Sequence, residues 1–185
     1  ISAVDQLNGI EYQSPVASAQ IKSCVLLAGL SASGATRVIE PRLSRDHTER
    51  MLPLFGVDLP GPCSVRGGSQ LKATRFAVPA DISSAVFSLA AAAMRPGSVV
   101  TVRQAGLNPT RTGFLHCLQA MGAEIDIFNQ TARSTEPVGD IEVKFKQGLR
   151  AIDVPESLVP DMIDEIPLLM ALAVTADGTT RIRGA

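Results

Sequence analysis

Two short stretches carry side chains that suit the chemistry of an anionic ligand. Ser18-Ala19-Gln20-Ile21-Lys22-Ser23 places a hydroxyl, a carboxamide and an ammonium within about one helical turn. Ser44-Arg45-Asp46-His47-Thr48-Glu49-Arg50 offers a guanidinium at the start of a second polar segment. Free backbone N–H groups and the positive end of the helix dipole favour anions at helix starts. An Arg fork there matches phosphate or carboxylate oxygens. Asp164 is the exception, because a carboxylate repels a phosphate. It suits a hydroxyl instead, as proton acceptor or hydrogen-bond partner. Asp81-Ile82-Ser83-Ser84 reads first as a helix cap and second as a site, and Asp161 after Pro160 reads as an N-cap.

Each group also has a plainer reading. Ser18 serves equally as an N-cap, Arg45 to Arg50 as a solvated helix start, and Asp164 as a first-turn residue favoured by the dipole. His47 is a general base or a surface residue, and His116 reads as structural. Arg111, in Asn108-Pro109-Thr110-Arg111-Thr112-Gly113, sits in a turn and cap, with a phosphate contact as the second option.

The elements that must position these groups repeat. Apolar helices are expected over Ala19 to Leu30, Asp81 to Met94 and about Asp164 to Thr175. Gly34, Gly97 and Gly178 each follow one of them and precede a strand. Fourteen residues upstream of each glycine stand Gln20, Ser83 and Asp164, all expected in the first turn. Amphipathic helices are expected over Arg45 to Phe55 and Thr110 to Met121, ending at Gly56 and Gly122. Strands are expected at Ile10 to Tyr12, Ala35 to Glu40, Val57 to Leu59, Lys72 to Val78, Ser98 to Arg103, Glu124 to Phe128, Ile141 to Phe145, Ala151 to Val154 and Gly178 to Arg183. Pro60 to Gly68 reads as loop. One unit is thus helix–strand–helix–strand–strand, its first helix buried. Such repetition means pseudo-symmetric α/β units.

The 185 residues are 45% apolar but only 4% aromatic, without Trp, so the core must be aliphatic. A net charge of −1 argues against nucleic-acid or membrane partners. Cys24, Cys63 and Cys117 are widely spaced and read as free thiols of a reducing, cytoplasmic setting, with no metal or cofactor implied. The longest apolar run, Ala85 to Met94, is too short to span a bilayer. The chain opens at Ile1 without Met, which suggests a piece of a longer protein.

Pro15 to Ser23, Ile39-Glu40-Pro41, Ser44 to Leu52, Gly106 to Gly113, Ile163-Asp164-Glu165-Ile166-Pro167 and Gly178 to Ala185 together resemble the 5-enolpyruvylshikimate-3-phosphate synthase family, in order and over essentially the whole chain. The resemblance implies an α/β fold of repeated βαβαββ units with buried parallel helices, an inside-out barrel in two domains. Residues 1–79 would close the first domain and 80–185 open the second, with a hinge near 79–81. It implies enolpyruvyl transfer from phosphoenolpyruvate to the 5-hydroxyl of shikimate 3-phosphate by a monomeric enzyme. Ser18, Ala19 and Arg45 would hold shikimate 3-phosphate, Gln20 would lie between both substrates, and Asp164 would take the hydroxyl proton. Lys22, Ser44 and Asp81 are further candidates. The family's early Lys-Ser, Gly-Thr-Ala-Met-Arg and Arg-Val-Lys-Glu-Ser-Asp-Arg motifs are absent, so the chain alone is expected to be inactive. The alternatives are an enolpyruvyl transferase acting on a UDP-N-acetylhexosamine and a non-catalytic ligand-binding module.

Overall fold

The computed structural model describes residues 4–133 and 135–185. The chain forms two compact units, Ile1–Phe76 and Ala77–Ala185. Both alternate helices with strands, as the α/β reading requires.

Unit 1 runs β1 (Glu11–Gln13), α1 (Ala19–Gly29), β2 (Ala35–Ile39), α2 (His47–Met51) and β3 (Ser64–Arg66). Its sheet order is β1-β2-β3. β1 and β2 are parallel, with Tyr12 opposite Val38, so α1 is the crossover between them. β3 pairs antiparallel to β2, with Val65 opposite Thr36. Leu26, Leu30, Val38, Leu52, Val57 and Val65 form the core.

Here the structure differs from expectation in two places. The helix expected from Arg45 to Phe55 is α-helical only over His47–Met51 and tightens to a 3₁₀ turn over Leu52–Phe55. Pro53 has no N–H to continue the α ladder, which accounts for the change. Gly56 ends the turn in the left-handed region (φ 81°). The third strand is Ser64–Arg66, inside the expected loop, while 57–59 and 72–78 are not strands. Val65 is fully buried, so one apolar residue among Gly and Pro sets the pairing.

Unit 2 begins with a parallel bridge, Ala80 to Ala105, closed over α3 (Ile82–Met94). Then come β4 (Val99–Gly106), α4 (Gly113–Ala120), β5 (Glu124–Arg133) and β6 (Glu136–Lys144), in sheet order β4-β6-β5. Strand, helix, strand, helix, strand and strand make one βαβαββ repeat. A further repeat opens with parallel bridges Arg150 to Asp177 and Asp153 to Arg181, crossed by a 3₁₀ segment (Glu156–Glu165) and α5 (Ile166–Thr175). The expected strands at 151–154 and 178–183 are thus reduced to isolated bridges.

β5 and β6 reach well past the expected 124–128 and 141–145, and their outer halves form the arms of a hairpin. Each outer strand of this sheet carries an irregularity, at Val102/Ala105 in β4 and at Phe128/Thr131 in β5. Gln104 (φ 53°) and Asn129 (φ 51°) sit in them with positive φ. The Asp140 carboxylate on the central strand serves both: it accepts the Gln104 N–H at 2.8 Å and Asn129 Nδ2 at 3.0 Å.

The three glycines that mark the repeat all have positive φ, 88° at Gly34, 76° at Gly97 and 100° at Gly178. Gly34 and Gly97 turn the chain from a crossover helix into β2 and β4, and Gly178 turns it from α5 towards the bridged residue Arg181, with a backbone shape that other residues adopt only with strain. The apolar helices are not buried all round, however. α3 buries Ile82, Ala85, Val86, Leu89, Ala90, Ala92 and Ala93 but exposes Phe87. α1 leaves Leu27 in solvent, and α5 leaves Met170 and Val174. Each helix has packing partners on one side only.

Candidate functional site

In unit 1 the site begins at the cap of α1. Ser18 is extended (φ −133°, ψ 113°), and its Oγ accepts the Ile21 N–H at 3.4 Å and donates to Gln20 Oε1 at 3.3 Å. No acidic residue lies in the first turn of α1. Gln20 is exposed, while Ser18 and Ala19 are half-buried. Ser18 as cap and Ser18 as ligand donor remain compatible, since a lone pair serves the Ile21 N–H while the hydroxyl proton, now on Gln20 Oε1, is free to rotate to a ligand oxygen.

Lys22, one turn further on, is placed differently from the sequence expectation. Its side chain has 0% exposure. Nζ lies 2.8 Å from Glu49 Oε1, 3.1 Å from Glu40 Oε2 and 3.3 Å from the Ser44 carbonyl oxygen. An ammonium has three protons, and all three are engaged, which leaves none for a bound anion. Burial disfavours its charge, but hydrogen bonds and attraction from Glu49 and Glu40 outweigh that, and the net effect raises its pKa. Glu40 and Glu49 have 5% and 14% side-chain exposure, so the whole cluster is largely shielded from solvent.

The same cluster reaches Arg45. The Ser44 hydroxyl donates to Glu40 Oε1 while the Ser44 carbonyl accepts from Lys22. Arg45, the next residue, is half-buried and precedes the α2 cap residue, Asp46. Asp46 in turn pairs with Arg50 at 2.9 Å. Ser23 Oγ and Thr48 Oγ1, 2.6 Å apart, make a second link between α1 and α2. Cys63 Sγ donates to Glu49 at 3.4 Å, and burial pushes this thiol up to about 11. Unit 1 therefore ties the Ser18–Gln20 helix start and the Ser44–Arg45 segment into one polar framework. Glu40 and Glu49, which give it its charge balance, had no role assigned from sequence. A lysine inside an otherwise apolar helix was the available signal, because such a charge needs buried carboxylates.

In unit 2, Asp81 caps α3. Its carboxylate accepts from Ser83 N (3.3 Å), Ser84 N (3.0 Å) and Ser84 Oγ (2.7 Å). The Ser84 hydroxyl is the main reason that its pKa lies below the usual carboxylate value. Arg111 Nη2 donates to Asp81 at 3.3 Å and to Ser83 Oγ, which engages both residues within the unit. The turn expected at Asn108 to Gly113 is a 3₁₀ segment, Pro109–Arg111, with Asn108 Oδ1 accepting from Thr110 N at 3.0 Å.

Asp164 is exposed at the end of the 3₁₀ segment, two residues before α5. It was expected in the first helical turn, and Asp161 was expected as the cap. The α-helix starts later, at Ile166, with Glu165 as its cap residue. Pro167 suits this first turn because it has no N–H to leave unpaired there. The preceding segment bends at Met162 (φ −150°, ψ 27°), which a single helix does not accommodate. Glu165 is buried and Asp164 is not, so the adjacent carboxylates occupy opposite environments. Among the described residues, no three His, Cys, Asp or Glu gather as a metal site would require. No helix among the described residues is long and apolar enough to cross a membrane.

Comparison with known proteins places these features in one family. All of residues 1–185 match the family model of EPSP synthase (3-phosphoshikimate 1-carboxyvinyltransferase). The chain is 54% identical over 182 residues to the 3-phosphoshikimate 1-carboxyvinyltransferase of Bacillus licheniformis, which covers 97% of this chain and 42% of that protein. The enzyme of the same name from Xanthomonas euvesicatoria pv. vesicatoria is also 54% identical, over 97% of this chain and 41% of its own. EPSP synthase from Acinetobacter baumannii superposes with a TM-score of 0.85 at 46% identity, over 95% of this chain and 40% of that one. The chain thus spans about two fifths of the length of these relatives.

Proposed function

The chain belongs to the EPSP synthase family, and from that premise we propose that it supplies part of the active site of a 3-phosphoshikimate 1-carboxyvinyltransferase. The parent protein joins shikimate 3-phosphate to phosphoenolpyruvate and releases phosphate. The observation that carries this reading is the match of the whole chain to the family, with Ser18, Gln20 and Arg45 on one framework in unit 1.

Ser18, Ala19 and Arg45 bind shikimate 3-phosphate, with the Arg45 guanidinium meeting an anionic group and the α1 N-terminus adding its partial positive charge. Gln20 donates and accepts between the two substrates. Ser44 and Asp81 support this binding. Asp164 bonds the ring hydroxyls and takes the proton of the 5-hydroxyl. That oxygen bonds to C2 of phosphoenolpyruvate as C3 gains a proton. Phosphate then leaves C2 as C3 gives the proton up, which restores the double bond. A carboxylate is a weak base for an alcohol, so correct placement must provide much of the acceleration. The domain boundary lies near 79–81 and acts as a hinge. The parent works as a cytoplasmic monomer without a cofactor.

The test uses the parent protein and the 185-residue chain side by side. The parent should form product from shikimate 3-phosphate and phosphoenolpyruvate but not with UDP-N-acetylglucosamine as acceptor. The chain alone should form none. Asp164→Ala in the parent should lower kcat by roughly 10²-fold or more with its circular dichroism unchanged. A near-normal rate would remove Asp164 from the chemistry, and product from the chain alone would show that the site is complete within it.

A further inference from the structure

The proposed reaction leaves Lys22 without a task, although it is the most thoroughly buried charge of unit 1. Its ammonium is saturated by Glu49, Glu40 and the Ser44 carbonyl. These partners come from separate parts of the chain: Lys22 from α1, Glu40 from the residue after β2, Ser44 from the following loop, and Glu49 from α2. One side chain therefore fastens α1, the end of β2, the Ser44 loop and α2 to one another. The peptide before Arg45 is held twice, through its Ser44 carbonyl by Lys22 and through its Ser44 hydroxyl by Glu40.

We infer that Lys22 is a positioning residue, which sets the Arg45 guanidinium relative to the first turn of α1 through the Glu40–Ser44–Glu49 framework. This rests on the reading that Arg45 holds shikimate 3-phosphate. A guanidinium that meets an anion through two parallel bonds is sensitive to direction as well as distance, so a loosened backbone at Ser44 weakens the contact. A purely structural lysine would change the amount of folded protein. A positioning lysine changes the affinity of each folded molecule, and only through Arg45.

The experiment is a double-mutant cycle in the full-length parent enzyme, with kinetics normalised to folded protein. Lys22→Met, Arg45→Ala and the double variant are compared with the wild type for KM and kcat on each substrate. Lys22→Met should raise KM for shikimate 3-phosphate by about tenfold or more and change kcat by less than about threefold. In the Arg45→Ala background the same substitution should change KM by less than about twofold. Lys22→Arg, which keeps the charge, should recover part of the loss. Should Lys22→Met fail to fold, Glu49→Gln loosens the same framework and takes its place in the cycle. Effects that add in the double variant, or a folded yield that falls with KM unchanged, overturn the inference. An inactive wild-type parent refutes the proposed function itself. An active parent in which Arg45→Ala leaves KM unchanged refutes the assigned role of Arg45 and, with it, the inference.

Discussion

At Lys22 the cost of burying a charge is met by two carboxylates and a carbonyl. Removing the amine while keeping the carboxylates leaves Glu40 and Glu49 without their shared cation in a largely buried site. Lys22→Met should therefore cost about 3–5 kcal/mol of stability, read from denaturant unfolding. The folded pKa of Lys22 is raised above its ordinary 10.5, so its contribution is fully present below that value. It is lost as pH rises through the folded pKa, and the gap in Tm between wild type and Lys22→Met should narrow in that alkaline window. The cysteines separate in a similar way. Cys24 is exposed, whereas burial pushes the thiols of Cys63 and Cys117 up to about 11. Alkylation at pH 8 followed by mass spectrometry should label Cys24 first and Cys117 last. The caps Ser18 and Asp81 were legible in the sequence, because a cap and the N–H that donates to it lie within three residues. The partners of Lys22 were not, because they lie 18 to 27 positions away and only the fold brings them in.

At the scale of the element, Asp140 ties the two irregular strands to the one between them. Its pKa is lowered, chiefly by the Asn129 side chain and then by the Gln104 N–H. Because the folded value is depressed, its stabilisation is present above the ordinary carboxylate pKa and is lost as pH falls through the lower folded value. Asp140→Ala should speed hydrogen exchange at the Gln104 amide at pH 7 and leave the core of α3 unchanged. Equal protection in both proteins would mean that the strands hold their shape without it. Helices and glycine stops were readable because apolar spacing and positive-φ turns are local properties. Gly34, Gly97 and Gly178 marked the repeat correctly. Strands were harder. The outer halves of β5 and β6 carry Asn129, Gln130 and Thr131 opposite Val138 and its neighbours, with too few apolar residues to show alternation. β3 has three residues, and its register depends on β2, about 30 positions away.

At the scale of the whole chain, apolar side chains remain in solvent on four of the described helices: Leu27 on α1, Met51 on α2, Phe87 on α3, and Met170 and Val174 on α5. A groove of about 180 Å³ beside α1 is lined by Leu7, Ile10, Cys24, Val25 and Ala28. Surfaces of this kind favour association, so the 185-residue chain alone should self-associate as its concentration rises, and light scattering would reveal it. A constant monomer mass at high micromolar concentration would contradict this. The parallel pairings have a further consequence, for the time the chain takes to fold. β1 with β2, Ala80 with Ala105, and Arg150 with Asp177 each join positions about 26 residues apart. Closure entropy grows only slowly with length, so none of these three steps gains a kinetic advantage from its span. The β5–β6 hairpin differs, because its strands are neighbours in sequence and such hairpins form in about 1–10 μs. Ala77–Ala185 therefore holds a local nucleus, while every strand pairing described in Ile1–Phe76 must wait for distant residues to meet. Pulse-labelled hydrogen exchange during refolding should find the amides of β5 and β6 protected before those of β2.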